Sequence, residues 1–303
     1  HNSGGKVIFQ VRGKVPRHSM KAREVRIPAA LVDAVVVDAT QRQGYDLVYD
    51  AALSGQDRRD DPEPPQPAFS SRLVIARRAQ QELHDNAVIN FGFGIPDQIA
   101  KLIDRDGHAE RYFQTIEHGT YGGRLMDGDL FGYAMNPSCM IDGPSQFDFY
   151  SGGGLDIAFL GFGEIDAAGN VNVSKLGGNT VGPGGFIDIA QNARKVVFCG
   201  TFDTGGARLE TGDGTLRVTS HGRIPKLVEK VDQITFSGPQ ASVQGQHVIY
   251  VTERAVFELR EDGVHLVEIA PGIDLQADVL DRMGFTPRME SPLSEMNSGL
   301  FKE

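Results

Sequence analysis

The spacing of apolar residues changes along the chain between two kinds of pattern. After residue 70, Leu73, Ala76, Ala79 and Leu83 recur at the spacing of one helical face. This spacing predicts a helix over residues 72–85. A second helical pattern at residues 273–283 has Ile273, Ala277, Leu280 and Met283 on one side, and it predicts a last helix that stops at Gly284.

Short continuous apolar runs separate the helical patterns. Those at 155–163 and 194–202 end in glycine-containing segments, and a shorter run covers 112–116. Such runs are typical of strands buried on both faces of a sheet. Residues 247–270 contain three strand-like runs separated by polar turns, which predict an antiparallel meander. The fold class expected is therefore α/β: an open, mostly parallel sheet with helices on both faces, plus a C-terminal antiparallel section.

The segment DNAVINFGFGIPDQIAKLIDRDG, at residues 85–107, combines both patterns around a glycine-rich turn. It predicts a strand, then the turn, then a helix, because Pro96 suits a first helical position and Gly107 suits the position just past the end.

The first 53 residues predict strands at 7–11 and 35–38 but are too few to close a core alone. Because HNSGG leads straight into an apolar strand pattern, we expect the chain to begin in the middle of a domain. Residues 54–70 contain four prolines, charges of both signs and little to bury, which is typical of an exposed linker. The expected organisation is thus an incomplete first domain over 1–53, a Pro-rich linker over 54–70 and a second domain over 71–303.

Composition narrows the classes of partner. The 303 residues include 30 Lys plus Arg against 40 Asp plus Glu, a formal charge of -10, so the average surface repels nucleic acid and anionic lipid. No apolar run approaches the ~20 residues of a spanning helix. The two cysteines, Cys139 and Cys199, lack metal-ligand spacing. We therefore expect no nucleic-acid, membrane or metal partner, and a cytoplasmic setting.

Glu117 stands in the segment TIEHGTYGG, directly after a predicted strand and before a glycine-rich reversal. The carboxyl ends of strands are where ligands meet open α/β sheets, so this position strengthens the case for a functional carboxylate. Position alone still leaves a solvated surface charge as the favoured interpretation. The neighbouring His118 would point to the opposite side of an extended segment, which favours a structural or exposed histidine.

Two glycine-rich loops are candidates for main-chain donors. In NFGFGIP, Gly92 and Gly94 precede a predicted helix whose first N–H groups would be unpaired. Such a helix terminus can bind a phosphate, a carboxylate or an oxyanion equally well. The alternative is that the segment is only a tight turn between strand and helix. The third glycine of a dinucleotide fingerprint is missing. Residues 152–185 are the densest glycine region, and Gly184 and Gly185 precede an apolar run as expected of donors that face a site.

These segments together resemble a known family. TIEHGTYGG, NFGFGIP, QFDFYSGGGLDIAFLGFGEIDAAGNVNVSKL and GPGGFIDIAQNARKVVFCGTF are similar to the second half of the family I CoA transferases, of the single-chain acetate or propionate and short-chain acyl-CoA:acetate/3-ketoacid type. The similarity runs through essentially the whole chain. Residues 1–53 resemble the end of that family's first half, and 54–70 resemble its linker.

The resemblance implies specific roles. Glu117 occupies the position of the glutamate that becomes the CoA thioester. Oxyanion contacts carry over to the N–H of Phe93 or Gly94 and to that of Gly184 or Gly185, and the loop glycines Gly92, Gly94, Gly182, Gly184 and Gly185 are expected to line the CoA site. CoA would be both substrate and covalent intermediate, with no tightly bound cofactor.

The resemblance also implies partners: acyl-CoA, short-chain carboxylic acids and further copies of the chain in a homo-oligomer. Most of the family's first half is absent from these residues, so it would be a separate chain or fragment, or the sequence is a truncated form. Two other functions remain open at this point. They are an acyl-CoA hydrolase on the same scaffold, and a non-catalytic effector-binding module.

Overall fold

The computed structural model describes residues 1–61 and 66–303, apart from the side chain of Glu290. The chain forms two compact units, His1–Ala51 and Ala52–Glu303. In the first unit, strands β1 (Ile8–Val11) and β2 (Ala34–Val37) pair in parallel. Residues 62–65 of the predicted linker lie outside the described residues, so the predicted linker over 54–70 stays a prediction.

A ten-stranded sheet forms the second unit. Its strands, in chain order, are β3 (Val88–Phe91), β4 (Phe113–Ile116), β5 (Thr120–Tyr121), β6 (Cys139–Met140), β7 (Ile157–Gly161), β8 (Lys195–Cys199), β9 (His247–Val251), β10 (Ala255–Arg260), β11 (Gly263–Ile269) and β12 (Arg288–Glu295). They lie in the order β12-β11-β10-β9-β8-β7-β3-β4-β5-β6. The five strands β9, β8, β7, β3 and β4 are mutually parallel. The β9–β10–β11 meander is antiparallel, as predicted.

Five α-helices occur in the described part of the chain: α1 (Ser71–Gln80), α2 (Ile95–Arg105), α3 (Gly143–Ser151), α4 (Phe186–Asn192) and α5 (Gly238–Gln244). The sequence predicts the helix at α2 well, because Pro96 lies in its first turn and Gly107, with a φ of 67°, follows its end. None of these helices has the length and apolar character needed to cross a membrane. The predicted α/β class, with helices on both faces and an antiparallel section, is confirmed.

Two apolar clusters cover the two faces of the sheet. One contains the buried residues of α1 and α2 and is called the α1-side cluster here. The other contains Tyr150 of α3 and the buried residues of α4, and is called the α3-side cluster. Successive residues of β7 alternate between them: Ile157 and Phe159 face α1, whereas Ala158 and Leu160 face α3.

Paired short strands outside the main sheet fall in the loops. They are Arg124–Leu125 with Ala134–Met135, Glu164–Ile165 with Val171–Asn172, Lys175–Leu176 with Asn179–Thr180, Asp203–Thr204 with Ile224–Pro225, and Arg208–Gly212 with Thr215–Ser220. Gly169 has a φ of 77° in the reversal between the second pair, where the sequence predicts a hairpin turn.

The predicted helix over 273–283 is wrong as a regular element. The chain forms one π-helical turn at Leu275–Val279 and a 3-10 turn at Leu280–Arg282. Ala277, which the pattern places on the apolar side, is exposed, and Val279 is the residue that the π-helical turn buries. Packing of Val279 into the α3-side cluster therefore overrides the 3.6-residue period.

Candidate active site

Glu117 directly follows β4, at the carboxyl end of a strand that is paired on both edges. β4 runs parallel to β3 on one side and antiparallel to β5 on the other. A tight turn then reverses the chain, with the N–H of Gly119 donating to the carbonyl of Ile116 at 2.9 Å. The backbone that carries the half-buried carboxylate is thus hydrogen-bonded on both sides.

The carboxylate of Glu117 receives a hydrogen bond from Asn90. The distance from Asn90 Nδ2 to Glu117 Oε2 is 3.3 Å, and Asn90 is 1% exposed. Its neighbours Ile89 and Phe91 face the α1-side cluster, so Asn90 faces the α3 side. A buried amide is costly unless it is paired, and here its pairing includes the predicted nucleophile.

A second layer of hydroxyl groups lies behind Asn90. Tyr150 Oη is 3.4 Å from Asn90 Nδ2 and 2.7 Å from Thr115 Oγ1. Burial raises the pKa of Tyr150 to about 12, and the nearby charge of Glu117 contributes to the shift. The hydroxyl therefore remains protonated at neutral pH.

Sequence reasoning missed Asn90, Thr115 and Tyr150. Two signals were present: an asparagine inside the apolar run VINF, and a threonine two positions before Glu117 and so on the same side of a strand. The third, Tyr150, belongs to a helix that the apolar pattern does not reveal.

The turn after β3 presents the backbone of residues 92–94. The N–H of Gly92 donates to the carbonyl of Phe159 at 2.7 Å, and the N–H of Gly94 donates to Asp97 Oδ2 at 3.1 Å. Among the described residues, no acceptor is found for the N–H of Phe93. Of the two amides predicted here as oxyanion donors, that of Phe93 is therefore the available one.

The loop before α4 contains the other predicted donors. Gly182 donates its N–H to the carbonyl of Ser174 at 3.0 Å. Within the described ranges, the N–H groups of Gly184 and Gly185 have no acceptor. Gly184 has a φ of 55°, and Gly185 is the N-cap of α4.

This loop lies on the same side of the sheet as Glu117. Helix α4 packs against α3 and against β7, and its buried residues belong to the α3-side cluster. Asn90 and Tyr150 face that cluster too. The structure thereby brings the Glu117 contacts and the Gly184–Gly185 loop to one face, whereas the turn containing Phe93 lies at the carboxyl edge of the same sheet.

His118 is exposed, and its Nε2 lies 3.2 Å from Thr120 Oγ1.

In the part of the chain that the structure describes, no group of three or more His, Cys, Asp or Glu side chains is arranged to hold a metal ion. The polar groups that the structure places around Glu117 are the carboxamide of Asn90 and, behind it, the hydroxyls of Thr115 and Tyr150.

Curated proteins of named activity are similar to nearly the whole chain. The chain is 44% identical over 302 residues to the acetate CoA-transferase YdiF of Escherichia coli O157:H7, which covers 99% of this chain and 57% of YdiF. It is also 44% identical over 310 residues to the caffeate CoA-transferase of Acetobacterium woodii, covering 100% of this chain and 59% of the relative. The chain thus spans a little over half the length of these curated relatives.

A solved structure is also similar to nearly the whole chain. The crystal structure of the acyl-CoA transferase YdiF from E. coli O157:H7, a thioester complex with CoA, superposes with a TM-score of 0.89 and 43% identity over 99% of this chain and 56% of that one. No protein-family model matches the chain. Similarity in sequence and in fold across nearly every residue nevertheless shows that the chain belongs to the family I coenzyme A transferases.

Proposed function

We propose that this chain supplies the catalytic glutamate of an acyl-CoA:carboxylate CoA-transferase, and that Glu117 is that glutamate. The observation that carries the proposal is the contact of 3.3 Å between Asn90 Nδ2 and Glu117 Oε2 at the carboxyl edge of the sheet. A half-buried carboxylate held by a buried amide is oriented, whereas a solvated surface charge is not.

The first half-reaction begins with attack by the ionised Glu117 carboxylate on the thioester carbonyl carbon of acyl-CoA. The carbon–sulfur bond breaks, which gives an acyl-glutamyl anhydride and CoA thiolate. The thiolate then attacks the glutamyl carbonyl of the anhydride. The bond between the glutamyl carbonyl carbon and the bridging oxygen breaks, so that glutamyl-CoA thioester forms and the first carboxylate leaves with that oxygen.

The second half-reaction reverses these steps with another acid. The incoming carboxylate attacks glutamyl-CoA and releases the thiolate, which takes the new acyl group and returns Glu117 as a free carboxylate. One thioester is exchanged for another, so the overall free-energy change is small and neither ATP nor a metal is required.

Each step passes through a tetrahedral intermediate with negative charge on oxygen. The unpaired amides of Phe93, Gly184 and Gly185 are the candidates to stabilise that charge. A preorganised donor of this kind is typically worth about 10²–10³ in rate. Binding energy from the remote parts of CoA, expressed at the transition state, would add to this acceleration.

Acetate and caffeate appear in the names of two relatives, and we propose that this protein likewise transfers CoA to carboxylic acids such as acetate. Because the chain spans little more than half of those relatives, the proposed active enzyme includes the remaining residues, on the same chain or another. We also propose a homo-oligomeric assembly.

The test is trapping of the covalent intermediate in a preparation that turns over acetyl-CoA. Intact-mass spectrometry after acetyl-CoA is added should show a CoA-sized adduct on this chain. Hydroxylamine should then convert Glu117, and no other residue, to a hydroxamate in the peptide map. Glu117→Gln should abolish both signals, whereas Glu261→Gln, at an exposed turn, should keep them.

An unmodified Glu117 in an active preparation would overturn the proposal. Product analysis separates the hydrolase alternative, because a transferase releases little free CoA when no acceptor acid is present. Retention of ligand binding and biological effect in Glu117→Ala, with no turnover in any preparation, would instead favour a non-catalytic effector-binding module.

A further inference from the structure

Tyr150 is fully buried behind Asn90, and its side chain is held by packing on both flanks. Its ring lies 6.2 Å from the ring of Phe147 and 6.2 Å from that of Phe149. The Tyr150 side chain has no exposed surface, so its hydroxyl meets no solvent. Its hydroxyl contacts Thr115 and Asn90, and the buried side chain of Gln146 is a further polar neighbour.

The hydrogen bond from Thr115 to Ile89 determines the direction of the contact between the two hydroxyl groups. Thr115 Oγ1 donates to the carbonyl oxygen of Ile89 at 2.8 Å, so its single proton is already used. The 2.7 Å contact between the hydroxyls of Thr115 and Tyr150 therefore has Tyr150 as the donor. The oxygen of Tyr150 is left as an acceptor toward Asn90.

The carboxamide of Asn90 accordingly faces two acceptors on one side. Its Nδ2 lies 3.4 Å from Tyr150 Oη and 3.4 Å from the carbonyl oxygen of Thr115. One N–H can point there, and the other points at Glu117 Oε2, 3.3 Å away. These contacts are long, as catalytic hydrogen bonds often are before substrate binds.

A flipped carboxamide would reverse this arrangement. Asn90 Oδ1 would then face the oxygens of Tyr150 and Thr115, so that acceptors would lie against acceptors. Glu117 would also lose its amide donor, because the NH₂ group of Asn90 would point away from it. The tyrosine hydroxyl, together with the Thr115 carbonyl, thus favours the orientation of Asn90 that holds Oε2. Among the described residues Oε1 has no hydrogen-bond partner, so it is the oxygen left to attack.

We propose that Tyr150 is a positioning residue for the transferase reaction, acting through Asn90 to fix which oxygen of Glu117 attacks the thioester. The proposal rests on the proposed function of Glu117. It predicts that loss of the hydroxyl slows the covalent steps without weakening the binding of acyl-CoA.

The experiment compares Tyr150→Phe with Tyr250→Phe in a preparation that turns over acetyl-CoA. Tyr250 is a matched control, because it is also fully buried in the α3-side cluster and donates its hydroxyl to the carbonyl of Gly169 at 2.7 Å, away from Glu117. The rate of adduct formation on Glu117 in a single turnover and the steady-state kcat and KM for acetyl-CoA are measured for both.

We expect Tyr150→Phe to lower the adduct rate and kcat roughly threefold to tenfold, the usual effect of losing a neutral hydrogen bond. KM should change less than about twofold. Tyr250→Phe should lower the melting temperature but keep kcat. In an Asn90→Ala background, Tyr150→Phe should have almost no further effect on kcat, because its action passes through Asn90.

An unchanged adduct rate in Tyr150→Phe, or an equal loss with and without Asn90, would overturn the positioning role. Absence of the adduct in the unsubstituted enzyme would instead overturn the proposed function itself. If Tyr150→Phe does not fold, Thr115→Val and Thr115→Ser take its place. The valine variant removes the acceptor for the tyrosine proton and should be slow, whereas serine keeps that acceptor and should retain the rate; equal rates would contradict the proposal.

Discussion

Gly119 lies so close to Ile141 that a β-carbon at residue 119 would overlap the Ile141 carbonyl oxygen. The same two residues are joined by a 2.8 Å hydrogen bond from the N–H of Ile141 to the carbonyl of Gly119. Gly119 also has a φ of 109°, which L side chains rarely adopt. The turn that follows Glu117 is therefore closed by a contact that only glycine allows.

Gly119→Ala should destabilise this turn, since both the overlap and the strained backbone must be relieved by movement. We expect the free energy of unfolding to fall by about 1–3 kcal/mol or more, together with a loss of kcat. Gly107→Ala is the matched control: Gly107 also has a positive φ, but no atom lies within 4 Å of an added β-carbon. Denaturant unfolding compares the two, and equal losses would show that the Ile141 contact is unimportant.

Asn90→Ala should slow the reaction by removing the donor to Glu117. Loss of a hydrogen bond to a charged group is worth about 1.5–3 kcal/mol, so we expect kcat to fall roughly 10- to 100-fold. Asn192→Ala removes an amide that donates to the carbonyl of Asp188 and should leave kcat unchanged. Steady-state kinetics and melting temperatures are measured for both variants. A loss of kcat in Asn90→Ala that is no larger than the loss of folded protein would contradict the prediction.

Gly185→Pro and Gly185→Ala should differ in rate, because both add a β-carbon but only proline lacks the N–H. Gly185 has a φ of -81°, close to the value that proline adopts. If this amide stabilises the oxyanion, the proline variant should be about 10²–10³ slower than the alanine variant. Equal single-turnover rates would leave Phe93 and Gly184 as the candidate donors.

Asp104→Asn should remove a pH dependence of stability. Burial raises the pKa of Asp104 from 3.8 to about 6, partly opposed by the charge of Arg124. Since the folded state binds this proton more tightly than the unfolded state, its stabilising contribution is complete below about pH 4 and is lost as the pH rises through about 6.

The variant should therefore gain stability relative to the parent between pH 4 and pH 8, by at most about 3 kcal/mol. Denaturant unfolding across this range measures the difference, with Asp129→Asn at an exposed position as the control. Parallel curves for parent and Asp104→Asn would contradict the assignment.

Local patterns were enough to predict the strand before Glu117 and the bounds of α2, because apolar runs, Pro96 and Gly107 act over a few residues. They failed where tertiary context decides. β12 contains Pro292, which lacks a ladder donor and argues against a strand, yet β12 occupies the sheet edge where proline is tolerated.

The partnership of Asn90 and Tyr150 is of a different kind. These residues are separated by 60 positions, and their meeting depends on how α3 crosses the sheet. No local signal in one sequence gives that crossing. The resemblance identified Glu117 as the candidate carboxylate, and the fold identified the side chains that contact it.

Strand β4 is an interior strand, bonded to β3 on one edge and to β5 on the other, and Glu117 follows its carboxyl end. The proposed nucleophile, Glu117, thus stands on the main-chain pairing of β4 with β3 and β5, which side chains of the loops beyond the closing turn do not supply. New acyl groups could be accommodated by altering loop side chains while the attacking oxygen keeps its coordinates. In this architecture substrate range can diverge without rebuilding the reaction centre.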